Sequence, residues 1–451
     1  MDVNLQQFRR DGYLVLKNVV PPDRLADLRL TVELMVDHEK KRSTRQRRND
    51  EPRGGAWYSN AQPRLGHHSV APETADFVDF CLGDTTHGVS HQLMQAPQIA
   101  LTAFGVLCSG LIDYGYTDWH RDASSAEQAP LGGLQYDLIE NGAGYVQWNI
   151  ALYEDEVFWI LPGSHKQPTT EAQRRQLLRD PRTALEGGVP IHLQPGDGIV
   201  YPNIMMHWGS FYSSRLRRTI HLSYRSFGGQ IMSYHNHVDW YHDGPFLQHL
   251  GGNTRAYFEH TAQLYDKERD RIETAFRAVI AGDGPTYGQR LAQLHPGPRG
   301  RMVSTILLCR TANKIVAIHS PELAPLSPAQ RQPLIDGTPP AYYAEDMARR
   351  FTAEDAAVLK QRFAPLNARL QADAQHVHQH YTQVHTQLVP QASEPPNFES
   401  RPLRTFNHDM PKDFGVEEFI ESWRFRDAKP ILLMPAKVTD CLSAPRSTVF
   451  H

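Results

Sequence analysis

The chain has 451 residues, more than one hydrophobic core usually fills, so two or three domains are expected. Its 47 basic and 50 acidic side chains leave a net charge of -3, which excludes a polycationic surface for nucleic acid, and no run approaches the roughly 18 apolar residues of a membrane span. The 4 cysteines form no CxxC pair, which excludes a disulfide scaffold and a thiolate zinc site; with no signal-peptide pattern at Met1-Asp2-Val3-Asn4-Leu5, the expected setting is the cytoplasm.

In chain order, Leu5 to Arg10 reads as a short helix, Asp11-Gly12 as a turn and Tyr13 to Leu16 as a strand. Pro21-Pro22-Asp23 opens an amphipathic helix with Leu25, Leu28, Val32, Met35 and Val36 on one stripe, and the basic stretch Lys40 to Arg48 reads as a solvated loop. From Ile99 to Phe227 the texture becomes short β-rich runs: Ala103 to Cys108, Gly144 to Leu152, Val157 to Leu161, Gly198 to Tyr201 and Thr219 to Tyr224. Such spacing with Gly, Pro, Asn and Asp between runs predicts an antiparallel sandwich or barrel. After Gly244 a helix runs from Asn253 or Thr254 to Ile280, stopped by Gly282; Met302 to Leu308 and Lys314 to His319 read as a hairpin. Thr352 with Asp355 forms a capping box, a polar helix continues to Leu388, and Pro390 to Pro402 reads as a linker. This divides the chain into a β domain over 1–244 and a mostly helical extension over 245–451, expected to be a lid or a homodimer contact.

The 23 histidines invite a search for metal ligands. In His120-Arg121-Asp122 the first and third residues point to one face of an extended strand, so both can meet one ion. His237-Val238-Asp239 has the same form, but the first pair lies within the β-rich region, just after the strand-like Gly110 to Tyr114. Further along, Gly196-Asp197-Gly198 turns into Ile199-Val200-Tyr201 and leads to His207, a second imidazole from a distant strand. Two histidines and one carboxylate form the facial triad of non-haem Fe(II) oxygenases, whose open positions accept a bidentate 2-oxo acid and dioxygen. A guanidinium is the natural grip for the far carboxylate of such a co-substrate. Arg217 and Arg218 are adjacent; Arg218 shares a strand face with Ile220, Leu222 and Tyr224, and taking that apolar face as the barrel interior makes Arg218 the buried one.

These residues resemble the phytanoyl-CoA dioxygenase-like (PhyH) Fe(II)/2-oxoglutarate oxygenases over roughly the first half of the chain. The resemblance rests on Phe8-Arg9-Arg10-Asp11-Gly12-Tyr13-Leu14-Val15-Leu16, Trp119-His120-Arg121-Asp122 and Pro162-Gly163-Ser164-His165. It also rests on Pro195-Gly196-Asp197 and on His207 followed by Arg218 ahead of His221-Leu222-Ser223-Tyr224-Arg225. It implies a mainly β core with α additions: a double-stranded β-helix (jelly roll, cupin-like) with N-terminal helices. Carried over by position, His120, Asp122 and His207 bind Fe(II), Arg218 holds the C5 carboxylate of 2-oxoglutarate, and Thr117 and Trp148 line the co-substrate. Related halogenases put a small residue where Asp122 stands, so its presence points to oxygenation. The expected activity is oxidation, by hydroxylation, of an unactivated C–H bond in a small metabolite, with dioxygen consumed and succinate and carbon dioxide released; secondary metabolism is the expected context. The reading from another class is a metal-binding jelly roll without redox chemistry, a cupin-like isomerase or ligand-binding module, which has no evident need for a buried guanidinium.

Other motifs carry less. His120-Arg121-Asp122 and Asp413-Phe414-Gly415 mimic kinase signatures without a glycine-rich loop before them, and Gly142-Ala143-Gly144 lacks the third glycine of a dinucleotide fingerprint. His165 reads as a structural residue or as one that supports a ligand, and the cluster from His235 to His249 as a polar connection.

Overall fold

The computed structural model describes residues 1, 3–123, 129–228, 240–335, 341–398 and 403. Asp413-Phe414-Gly415, Cys441, His235, His237 and Asp239 therefore lie outside the described residues, as does the end of the expected linker.

The strands are β1 (Leu14–Leu16), β2 (Arg64–Leu65), β3 (Ile99–Cys108), β4 (Gly115–Tyr116), β5 (Tyr145–Ala151), β6 (Asp155–Ile160), β7 (Val189–Leu193), β8 (Gly198–Tyr201), β9 (His207–Trp208), β10 (Ser210–Phe211) and β11 (Arg218–Ser226). They form a 6-stranded antiparallel sheet in the order β1-β8-β5-β11-β3-β2, facing the smaller sheets β7-β6-β9 and β10-β4. Apart from the β2/β3 and β6/β7 pairs, neighbouring strands are non-consecutive in the chain, which gives the double-stranded β-helix expected above.

Strand alternation decides what each face of the large sheet meets. Phe104, Trp148, Ile150, Val200, Ile220, Leu222 and Tyr224 bury the outer face under the N-terminal helices, against Val32, Met35 and Val36 of Leu25–Arg45 and Phe77 of Asp76–Cys81. The inner face splits into two zones. Ala151, Ile199 and Tyr201 meet Phe158, Ile160, Ile191 and Leu193 in a closed apolar end, whereas Gln147, Asn149, His221 and Ser223 line an open polar end.

Three local expectations change. The helix through Met35 extends to Arg45, so most of the basic stretch is helical, with Arg42 Nε donating to the buried Glu39 carboxylate at 2.8 Å. Gly110 to Tyr114 is loop, with Leu111 65% exposed. The expected hairpin is one helix, Gly297–Ile318, with Val303, Ile306, Leu307, Ala312 and Ile315 buried. It is apolar on several sides because helices surround it, and a short apolar run of that kind does not distinguish strand from helix. An unforeseen helix, Leu131–Asn141, interrupts the β region, and its Leu131 and Leu134 pack with Phe276, Val303 and Leu307.

The extension contains the two foreseen helices. Gly252–Ala281 ends at Gly282 in the left-handed conformation (φ 70°), and Ala353–Leu388 starts at the Thr352/Asp355 capping box. It is fastened to the barrel by a buried ion pair: Arg225 of β11 donates to Glu268 through Nη1 at 2.8 Å and Nη2 at 2.7 Å. The Glu268→Ala variant leaves that guanidinium buried without its carboxylate, and urea unfolding should show a loss of about 3–5 kcal/mol.

Candidate metal centre

His120 and His207 are joined by main chain before their side chains do anything. Each backbone N–H donates to the other residue's carbonyl at 2.9 Å, an isolated antiparallel bridge that brings the imidazole centroids within 4.3 Å. His120 Nδ1 lies 2.6 Å from Asp118 O and His207 Nδ1 lies 2.9 Å from Met205 O. A carbonyl only accepts, so each Nδ1 carries the proton and each Nε2 presents its lone pair, the tautomer a metal ligand needs.

Asp122 follows from the period-two geometry. Its Oδ1 is 3.7 Å from His120 Nε2 and its Oδ2 is 3.6 Å from His207 Nε2. Gln147 Nε2 donates to Oδ2 at 3.1 Å, and the Asp122 N–H donates to Asn203 O at 2.9 Å. One ligand atom from each of the three lies within 4.8 Å of the others, and the residues are only 3%, 8% and 5% exposed. Two neutral imidazoles and a carboxylate suit a divalent first-row metal, for which ligand atoms at about 2.1 Å sit about 3 Å apart at right angles.

The three open onto a cavity of about 300 Å³. Thr117 lines it, its Oγ1 donating to Gly209 O at 3.1 Å. Trp148 does not: it points to the outer face and donates Nε1–H to Ser90 Oγ at 2.9 Å. The two arginines are likewise reversed from the expectation. Arg218 reaches outward and pairs with Glu33, at 2.8 Å from Nε and 3.2 Å from Nη2. Arg217 lines the cavity, its Nε held by Asp155 Oδ2 at 2.9 Å and Thr219 Oγ1 at 3.1 Å. The apolar face of β11 belongs to the helix-covered side, so the interior here is the polar face. The same parity places Tyr145, Gln147 and Asn149 of β5 in the cavity, which the sequence reading passed over; their alternation with Val146, Trp148 and Ile150 was the available signal.

Burial sets the charges. The Asp155 carboxyl is pushed up by burial, but Arg217 and Thr219 outweigh this and hold it below its usual value. Burial, with the Arg64 charge adding to it, lowers His221 to about 4, and burial raises Tyr145 to about 12, so both are neutral at pH 7. Asn149 Oδ1 lies 2.9 Å from His221 Nδ1 and fixes that ring.

His165 supports rather than binds. It lies outside the donor cluster, with Nε2 3.2 Å from Arg9 O, and packs on Gly12, where a Cβ would come within 2.3 Å of its Nδ1. Burial, the leading cause, lowers it to about 4. Since the unfolded chain protonates this ring near pH 6.5, folding loses stability as pH falls from about 6.5 towards 4. The urea midpoint should drop over that window, and the drop should be smaller in His165→Gln.

Residues 8–219 match the family model described as phytanoyl-CoA dioxygenase (PhyH). Among solved structures, the chain is similar to the non-heme alpha ketoglutarate dependent epimerase SnoN from nogalamycin biosynthesis, with 16% identity over 50% of this chain and 80% of that one and a TM-score of 0.35. EctD from S. alaskensis with bound Fe is 15% identical over 52% and 77%, TM-score 0.36. HygX from Streptomyces hygroscopicus with nickel and 2-oxoglutarate bound is 16% identical over 50% and 88%, TM-score 0.35. No curated protein matches the chain. Among the described residues, no helix is long and apolar enough to cross a membrane.

Proposed function

Residues 8–219 belong to the phytanoyl-CoA dioxygenase family, an Fe(II)/2-oxoglutarate-dependent enzyme family, and from that premise we propose that the protein hydroxylates a C–H bond of a small polar metabolite. The observation that carries the proposal is the convergence of His120, Asp122 and His207 at one end of a cavity that Arg217 also lines.

In this reading His120 Nε2, Asp122 and His207 Nε2 hold Fe(II), and Gln147 orients the carboxylate by its 3.1 Å bond. Fe(II), once bound, supplies with 2-oxoglutarate and dioxygen the oxidising power to break an unactivated C–H bond, with succinate and carbon dioxide released. Arg217 takes over the role expected of Arg218. Its Nε is held by Asp155 and Thr219, which aims the rest of the fork for a bidentate grip on the far carboxylate of 2-oxoglutarate. Thr117 lies on the wall beside it, and Phe158 and Tyr201 pack on the His207 ring at 5.5 and 5.2 Å and shield that side from water.

Tyr145, Gln147, Asn149, His221 and Ser223 set hydrogen-bonding groups beside the apolar Ala103, Leu107, Phe158 and Phe211 in a cavity of about 300 Å³, which supports a small metabolite that carries polar groups. The Asp122 carboxylate supports oxygenation over halogenation.

Anaerobic addition of 2-oxoglutarate to the Fe(II)-loaded protein should produce a weak visible charge-transfer band. Its absence would favour the non-redox metal-binding alternative. Asp122→Ala should lose both that band and succinate release. Arg217→Gln should weaken 2-oxoglutarate binding at least about tenfold, the cost of a lost charged hydrogen bond, whereas Arg218→Gln should stay within about threefold. The reverse order would return the co-substrate grip to Arg218.

A further inference from the structure

The middle residue of His120-Arg121-Asp122 is more buried than either neighbour, at 1% exposure. On an extended segment its side chain leaves on the face opposite the two candidate ligands, away from the cavity. There Nη1 donates to Ser164 O at 2.6 Å and also to Ile204 O, while Nη2 donates to Thr169 Oγ1 at 3.3 Å. These acceptors are two carbonyls and a hydroxyl, none with a formal charge. Burial, reinforced by the nearby Arg174 cation, lowers the guanidinium to about 9, so it is still charged at pH 7.

Its partners explain what such a costly group does. Ile204 stands between Asn203, whose carbonyl accepts from the Asp122 N–H at 2.9 Å, and Met205, whose carbonyl lies 2.9 Å from His207 Nδ1. Three consecutive carbonyls of one turn thus hold the Asp122 backbone, the Arg121 guanidinium and the His207 ring. The other anchor, Ser164, uses its Oγ to accept from Met206 N–H at 2.9 Å, directly before His207. The Pro162-Gly163-Ser164-His165 turn is thereby tied to both ligand-bearing segments. Gln135, on the helix Leu131–Asn141, donates to the same Ser164 carbonyl at 3.2 Å and to Gln167 O at 2.7 Å.

We infer that Arg121 is a positioning residue for the metal centre: it clamps the segment carrying His120 and Asp122 to the turn carrying His207, so that the three donors stand at binding distance before a metal arrives. The inference rests on the reading of those three residues as ligands. It differs from a general contribution to stability because its effect is on donor spacing, which a change elsewhere in the fold leaves alone.

Co(II) tests this without turnover, since its visible bands report both occupancy and coordination geometry. Metal-free protein is titrated with Co(II) well below the melting temperature of every variant. Arg121→Met should raise the Co(II) Kd about 10- to 100-fold and alter the band shape, the range seen when groups that orient metal ligands are removed. Arg121→Lys, which keeps the cation and can still reach a carbonyl, should recover part of the affinity. Glu268→Ala, which unfastens the distant Arg225 pair, should melt lower yet bind Co(II) like wild type. Ser164→Ala removes the Oγ tie to Met206 and should raise the Kd about threefold or more, so it tests the same strap if Arg121→Met does not fold. Arg121→Met or Ser164→Ala binding Co(II) as wild type does, with the same spectrum, would overturn the inference, as would an equal loss in Glu268→Ala. Failure of wild type itself to take up Co(II) would overturn the assignment of the ligands.

Discussion

The reciprocal pair of main-chain hydrogen bonds between His120 and His207 is the constraint from which the site is built. It joins strand ends far apart in sequence and puts two imidazoles at 4.3 Å, with Arg121 and Ser164 bracing the two segments from the side away from the cavity. The period of an extended chain then delivers Asp122 to the same face, and carbonyls of the same segments fix both rings in one tautomer. Because the donors depend on backbone geometry, their spacing is as rigid as the sheet edge that carries them.

Around that edge the barrel is polar inside at one end and apolar outside. A six-stranded sheet covered by helices needs its oily side under them, and the Trp148, Ile220 and Leu222 face goes there. What remains for the interior is an apolar plug of Ile160, Ile191 and Ile199 at the closed end and hydrogen-bonding groups at the open one.

This arrangement also explains what was legible in the sequence. An antiparallel sandwich or barrel followed from the short punctuated runs and the jelly roll from the family resemblance, and the convergence of His120, Asp122 and His207 followed from spacing, turn signals and that resemblance. Arg217 faces the cavity while Arg218 and Trp148 face away from it, the inverse of the expected parity, for one shared reason. Alternation tells which residues share a face, but which face is covered depends on helices packing from elsewhere in the chain, and local pattern holds no trace of them. The helix Gly297–Ile318 failed for a related reason: surrounded on several sides, it lost the one-sided stripe by which a surface helix is known. The Thr352 box and Gly282 stop were read correctly because caps are local chemistry.

The strand β11 gives the extension a mechanical bearing on the cavity. Arg217 adjoins one end of it, His221 sits midway, and Arg225 near the other end is gripped by Glu268. A hydrogen-bonded strand hardly stretches, so it behaves as a tie rod: the helices of the C-terminal half bear on one end, and the cavity wall is bolted to the rest. Any drift of those helices along the rod's axis must pass the register irregularity between Ser223 and Tyr224, a joint that can absorb it before it reaches the guanidinium and imidazole.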